Sequence, residues 1–163
     1  MKIRNRFVSN SSSSSFIVAF NDDPGSSEEL RKMMFGNKKM HEGYSTVEIA
    51  DYVFNDIQQQ RLKKKRIDLI SPEMIVCAEV GGDAERIVMK FLPELYNTDS
   101  DAYWDIVQYL ERITENEFDD FIAENKGKIF YRFEFGDEGG KFFGVLEHSG
   151  IFGSLKHDVI SHH

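Results

Sequence analysis

Four of the five histidines in this chain fall within its last sixteen residues: His148, His157, His162 and His163, with His41 elsewhere. Imidazole ligates zinc and exchanges a proton near neutral pH, so such a cluster suggests a metal site or acid–base chemistry. Glu147 and Asp158 lie among these histidines and would add carboxylate oxygens. The candidate metal ligands are His148, His157 and His162, holding a divalent ion. Their spacing follows no standard pattern such as His-x-x-x-His, and on a regular strand Glu147 and His148 would point to opposite faces. Structural hydrogen bonding by the imidazoles is the competing reading.

At the other end, Asn10 precedes five serines: Ser11, Ser12, Ser13, Ser14 and Ser15. Consecutive hydroxyls and backbone N–H groups can cradle an anion. A phosphate loop would bring glycine for close approach and a following lysine, and neither is here. Two other readings compete: a docking or processing element, and a polar entry to a strand. The candidate binding set is therefore Asn10, Ser11 to Ser15, Glu147, His148, His157 and His162.

Other clusters read as solvated surface. Asp119 and Asp120 are adjacent on a helix and do not share a face. Asp137-Glu138 heads a turn, where backbone preference explains the residue types. The run Arg61, Lys63, Lys64, Lys65, Arg66 suits a helix C-terminus, whose dipole favours cations. It lacks the interleaved aromatics of a base-stacking surface. Cys77 is the one cysteine and sits in an apolar run, so no internal disulfide forms and the thiol reads as a small hydrophobe.

The elements that must position these residues follow from pattern. The chain has 163 residues, 40% hydrophobic with 14 Phe, which fits one folded domain over 1–163. Phe16 to Phe20 is a β-prone apolar run, entered through a serine loop and ended by the turn Asn21 to Gly25. Ser26 and Glu29 have capping-box spacing for a helix to Phe35, stopped by Gly36. After a loop from Asn37 to Gly43, Ser45 and Glu48 repeat that spacing. Val47, Ala50, Val53, Phe54 and Ile57 then mark a long amphipathic helix ending in the basic run. Met74 to Val80 reads as an interior strand.

Asp83 caps a helix over Ala84 to Leu92 that Pro93 ends. Ser100 caps another, with Tyr103, Trp104, Val107, Leu110 and Ile113 on its apolar side. Thr114 and Glu117 introduce a third, with Phe118, Phe121 and Ile122 as its stripe and Gly127 as its stop. Ile129 to Phe135 then alternates with period two, and Lys141 to Glu147 returns as the second strand of a hairpin. The tail from His148 reads as irregular, with one helical turn near Ile151 to Leu155. This predicts an α+β fold: one mixed or mostly antiparallel sheet of about four strands covered by about five helices.

The string Phe7-Val8-Ser9-Asn10-Ser11-Ser12-Ser13-Ser14-Ser15-Phe16 resembles the opening of a group of uncharacterised bacterial and bacteriophage proteins, which begin with a short basic segment and this serine run. The end of the chain resembles the same group through Phe135-Gly136-Asp137-Glu138-Gly139, Leu146-Glu147-His148, Ile151-Phe152, Leu155, His157 and Ile160-Ser161-His162-His163. The resemblance implies a bacterial or bacteriophage origin and brings no established activity.

The formal net charge of −8 disfavours general nucleic-acid binding. No secretory signal or membrane span is visible, so the expected location is the cytoplasm. No catalytic triad, Walker loop or dinucleotide fingerprint appears. The expected function is thus that of an accessory protein that binds a protein partner or small ligand through its terminal segments, without a cofactor. The alternative is a small hydrolase or transferase with the serine segment folded against His148 and His157, where a hydroxyl or metal-bound water attacks.

Overall fold

A computed structural model describes residues 13–136, 143–148 and 150–162. The chain divides into two compact units: Met1–Asp56 with Phe118–His163, and Ile57–Glu117.

The first unit is built on strand β1, Ser13–Phe20, which pairs antiparallel on one side with β4, Ile129–Gly136, and on the other with β5, Lys156–His162. Every residue of β1 from Ser14 to Phe20 is buried, as expected for a central strand flanked on both sides. Directly paired residues share a sheet face. One face therefore carries Phe16, Val18 and Phe20 of β1 with Tyr131 and Phe133 of β4. Phe152, just before β5, completes its aromatic core, with its ring centroid 5.5 Å from Phe16 and 5.1 Å from Phe133. The opposite face carries Ile17 between Arg132 and Asp158, and Ala19 between Phe130 and Lys156. Helix α7, Asp119–Glu124, lies over this face: Phe121 meets Phe130 edge to face, and the Arg132 guanidinium stands over the ring of Phe118.

Helix α1, Ser27–Phe35, starts at Ser26, whose hydroxyl accepts from the Glu29 N–H, and stops at Gly36. Between it and the long α2, Thr46–Ile67, two short strands, β2 Met40–His41 and β3 Tyr44–Ser45, form a ribbon. Its turn places Glu42 and Gly43 both at positive φ, the backbone of a two-residue hairpin. The segment Asn37 to Gly43 is thus a hairpin arm and not a plain loop. Among the described residues no helix is long and apolar enough to cross a membrane.

The second unit packs α3, Pro72–Glu79, α4, Ala84–Phe91, α5, Leu95–Thr98, and α6, Ser100–Glu111. Its core joins Met74 and Ala78 of α3, Ile87 and Val88 of α4, and Tyr103, Ile106, Val107 and Leu110 of α6. Cys77 packs partly buried at the edge of that core. Residues 74–80, expected as a strand, belong to this helical layer. The Ser71 hydroxyl accepts from the Met74 N–H and Pro72 opens the helix, so the start signal outweighs the β-prone composition that follows. Asp83 caps α4 as expected, accepting from the Arg86 N–H. Asp99 rather than Ser100 caps α6, accepting from the Ala102 N–H.

The turn between α3 and α4 is tight. A Cβ at Gly82 would stand 2.5 Å from the Cys77 carbonyl oxygen and 3.0 Å from Ile87 Cδ1. Gly82→Ala is therefore expected to destabilise the protein by about 1–3 kcal/mol, read from the denaturant midpoint.

Burial, and then the carboxylate of Glu85, Tyr96 and the carboxylate of Asp83, raise the Tyr103 phenol above its ordinary value of 10.0. The folded protein holds that proton more tightly than the unfolded chain does. The stabilisation is complete below about pH 10 and is lost as pH climbs through the raised value. Helical signal is expected to fall in alkaline solution above about pH 10, and Tyr103→Phe to lessen that loss, as followed by circular dichroism.

The outcome is α+β, as predicted, with eight helices and five strands among the described residues. The sheets differ from expectation: a three-stranded antiparallel sheet in the order β4-β1-β5 and a separate two-stranded ribbon, instead of one sheet of about four strands. The expected terminal hairpin is not formed. Its first strand is β4, but Phe143–His148 is a helix, α8, packed against β4. The partner of β4 is β1 at the other end of the chain. The tail after His148, expected to be irregular, turns at residues 151–154 and then becomes β5.

Candidate functional site

The two ends of the chain meet in one sheet. Ser13 stands opposite His162, Ser14 opposite Ser161, Ser15 opposite Ile160 and Val18 opposite His157. On the other side of β1, Ser13, Ser14 and Ser15 face Gly136, Phe135 and Glu134. Asn10, Ser11, Ser12 and His163 lie outside the described residues, as do the turn at Asp137 to Gly140 and the side chain of His162.

Ser13, Ser14 and Ser15 are strand residues, which corrects the expected loop. Serine has no strong strand preference, but pairing on both sides decides the conformation here. Ser14 and Ser15 are buried. With β1 paired along both of its edges, its backbone N–H groups point into the ladders. They are not gathered into a concave anion cradle.

The histidines are spread out. His157 is the second residue of β5 and His162 its last, five residues or about 17 Å apart along the strand. Along the backbone, then, β5 sets these two candidate ligands well apart. Among the described residues no group of three His, Cys, Asp or Glu side chains converges as a metal site. His157 Nδ1 lies 2.9 Å from the Leu155 carbonyl oxygen, which fixes the ring and supports the structural reading for this residue.

Glu147 and His148 form the second feature. The Glu147 side chain is fully buried, while the His148 side chain is 58% exposed. His148 Nε2 lies 3.3 Å from Glu147 Oε2, within ion-pair distance. The contact lacks hydrogen-bond alignment, and neither carboxylate oxygen has a hydrogen-bond partner among the described residues. A buried carboxylate in that state is costly, so it stands apart from ordinary core chemistry.

The third feature is an open cleft of about 790 Å³ on the face covered by α7. Asp120, Phe121, Glu124 and Asn125 form one wall, and Leu155, Lys156, His157 and Asp158 the other. Asp120 and Glu124 are one helical turn apart and share a side of α7. With Asp158 they bring three carboxylates against one ammonium, Lys156, so the cleft favours a cationic group. Asp158 has a second task, its Oδ1 accepting from the Val159 N–H at 2.8 Å. A carboxylate tied to the backbone of an edge strand also discourages pairing with another strand.

Sequence reasoning finds His157 and Asp158 and misses the rest of the cleft. Asp120 reads as solvated surface, and Phe121 as part of a buried stripe, which it only half joins. Nothing local in the sequence brings residues 120–125 to residues 155–158. The basic run ends α2 as expected, but Arg66 is also bound to Asp105 at 2.7 Å. Compared with known proteins, the chain matches no family model, no curated protein and no solved structure.

Proposed function

We propose that this protein acts by binding, as an accessory factor that docks a protein partner or small ligand at the cleft between α7 and the start of β5. The observation that carries the reading is the pairing of β1 with β5. It joins the two terminal segments in one sheet and puts Lys156, His157 and Asp158 beside an open, polar cavity. Its volume falls in the range of ligand sites, where a few placed polar groups fix orientation. The bacterial or bacteriophage setting rests on the resemblance of the terminal strings, and the cytoplasm is the compartment proposed for it.

The test compares the wild type with the double variant Asp120→Lys, Glu124→Lys, whose substitutions lie on the exposed side of α7. Purified proteins are used as bait in a bacterial lysate. Partners retained by the wild type and lost by the variant are expected; identical partner sets would count decisively against the cleft.

The hydrolase or transferase reading has one observation in its favour, the contact of His148 with the buried Glu147 carboxylate. A carboxylate beside an imidazole can orient it as a general base. Ester and phosphoester substrates would test it: hydrolysis by the wild type that disappears in His148→Gln would support an enzyme, and absence of turnover in both proteins would remove it.

A further inference from the structure

The polar groups that line the cleft beside β5 differ from those of an ordinary surface: nearly all of them accept hydrogen bonds, and several have nothing to accept from. Asn125 is 7% exposed, and its Nδ2 donates to the Phe121 carbonyl oxygen at 2.9 Å. Only the amide nitrogen can donate there, so the orientation of the amide is settled. Oδ1 is turned the other way and accepts nothing among the described residues. His157 repeats the arrangement. Its Nδ1 lies 2.9 Å from the Leu155 carbonyl oxygen, so Nδ1 carries the proton and the neutral ring keeps a lone pair on Nε2. That nitrogen also meets no donor among the described residues.

The carboxylates extend the pattern. Asp120 and Glu124 enter no ion pair or hydrogen bond among the described residues. Like charges at this spacing weaken a helix. Asp120 lies in the first turn of α7, where the dipole favours it, but Glu124 is the last residue of α7, where the dipole opposes it. Helix formation thus accounts for the first carboxylate and not for the second. Asp158 accepts from the Val159 N–H through Oδ1, which leaves Oδ2. Lys156 is the one cation among the lining residues; it is exposed and pairs with no carboxylate among the described residues.

A cleft of open acceptors suits a ligand that donates and carries positive charge. Donors are wanted on both walls, because Asp120, Glu124 and Asn125 belong to one and His157 and Asp158 to the other. Each wall also carries one half-buried apolar side chain, Phe121 and Leu155. We infer that the cleft binds a linear di- or polyamine, its ammonium groups held by the carboxylates, Asn125 Oδ1 and His157 Nε2, and its methylenes lying along Phe121 and Leu155. The inference rests on the reading of this cleft as the binding site and names its ligand class. A single lysine side chain donates at one end only and would leave the acceptors of the opposite wall without partners.

The full-length protein is titrated with spermidine in a calorimeter at physiological salt. Saturable binding at one site is expected. Glu124→Gln and Lys156→Gln change exposed side chains and leave the fold in place. The first is expected to weaken binding about tenfold, and the second, by removing a like charge, to tighten it about threefold. Asp101→Asn takes the same charge from the helical unit and is expected to leave the affinity as it is.

A response that does not saturate overturns the inference, as does an affinity equal in all four proteins. Equal weakening by Glu124→Gln and Asp101→Asn overturns it too, since that would be attraction to the overall charge. The two readings fail separately. No binding of spermidine, with lysate partners still lost in Asp120→Lys, Glu124→Lys, removes the polyamine and keeps the cleft as a docking site. Spermidine bound equally well by the wild type and by that double variant removes the cleft together with its ligand.

Discussion

Replacing Phe152 by alanine is expected to cost about 3–5 kcal/mol, a large share of the roughly 5–15 kcal/mol that holds a domain together. The reason is its position. Phe152 is 1% exposed and its ring touches Phe16 on β1, Phe133 and Phe135 on β4, and His157 on β5. One side chain thus packs against all three strands of the sheet. Truncation removes the transfer free energy of a whole phenyl ring and leaves a cavity that strands tied by ladders on each side do not collapse to fill. The check is a denaturant titration followed by far-ultraviolet circular dichroism. A loss below about 1 kcal/mol would mean that the aromatic cluster is not the core of this sheet.

Glu147→Met is expected to act in the opposite direction, stabilising the protein by about 1–3 kcal/mol. Both carboxylate oxygens of Glu147 are buried and lack hydrogen bonds among the described residues. The exposed His148 imidazole at 3.3 Å gives little compensation. Methionine has nearly the same length and volume, keeps the helix propensity and removes the desolvation cost. The measurement is again the denaturant midpoint. A variant less stable than the wild type would show that the carboxylate has a partner worth more than its burial costs. Natural chains keep such residues at sites of function more often than in plain cores, so a stabilised variant that loses binding or turnover would point to α8 as part of the working surface.

Local signals in the sequence are read correctly wherever the interaction that decides the structure is itself local. Ser26 and Asp83 set helix starts because a side chain accepts from a backbone N–H three residues on, and Gly36 sets a stop because its own N–H donates to the Lys32 carbonyl at a positive φ. The period-two pattern of Ile129 to Phe135 marks β4 because one face of an edge strand is buried. Two errors come from weighing composition above such signals. Ile75, Val76 and Cys77 look like a strand, but Ser71 and Pro72 begin a helix. Glu42-Gly43 makes a hairpin turn although glutamate is a poor residue for positive φ, so no Asn-Gly signal announces it.

The candidate residues are legible by type and scarcely by arrangement. A histidine-rich tail suggests a metal cluster only while the tail is taken as irregular; drawn out as β5, it separates His157 from His162 by the length of a strand. Serines read as a loop until strands from both sides claim their backbone. The cleft depends on residues 120–125 and 155–158, which no local pattern connects.

An acidic α+β chain, the places where most helices begin and end, and the aromatic runs available for a core all follow from the order of the residues. Each arises from side chains acting on their own few neighbours along the chain. Three features emerge only in the folded molecule: β1 lies between β4 and β5, the second strand of the expected hairpin is a helix, and the two ends of the chain pair in one sheet. Strand pairing is made between residues more than a hundred positions apart, and its register is chosen by which faces can be buried together, a property of the assembled sheet and of no single segment.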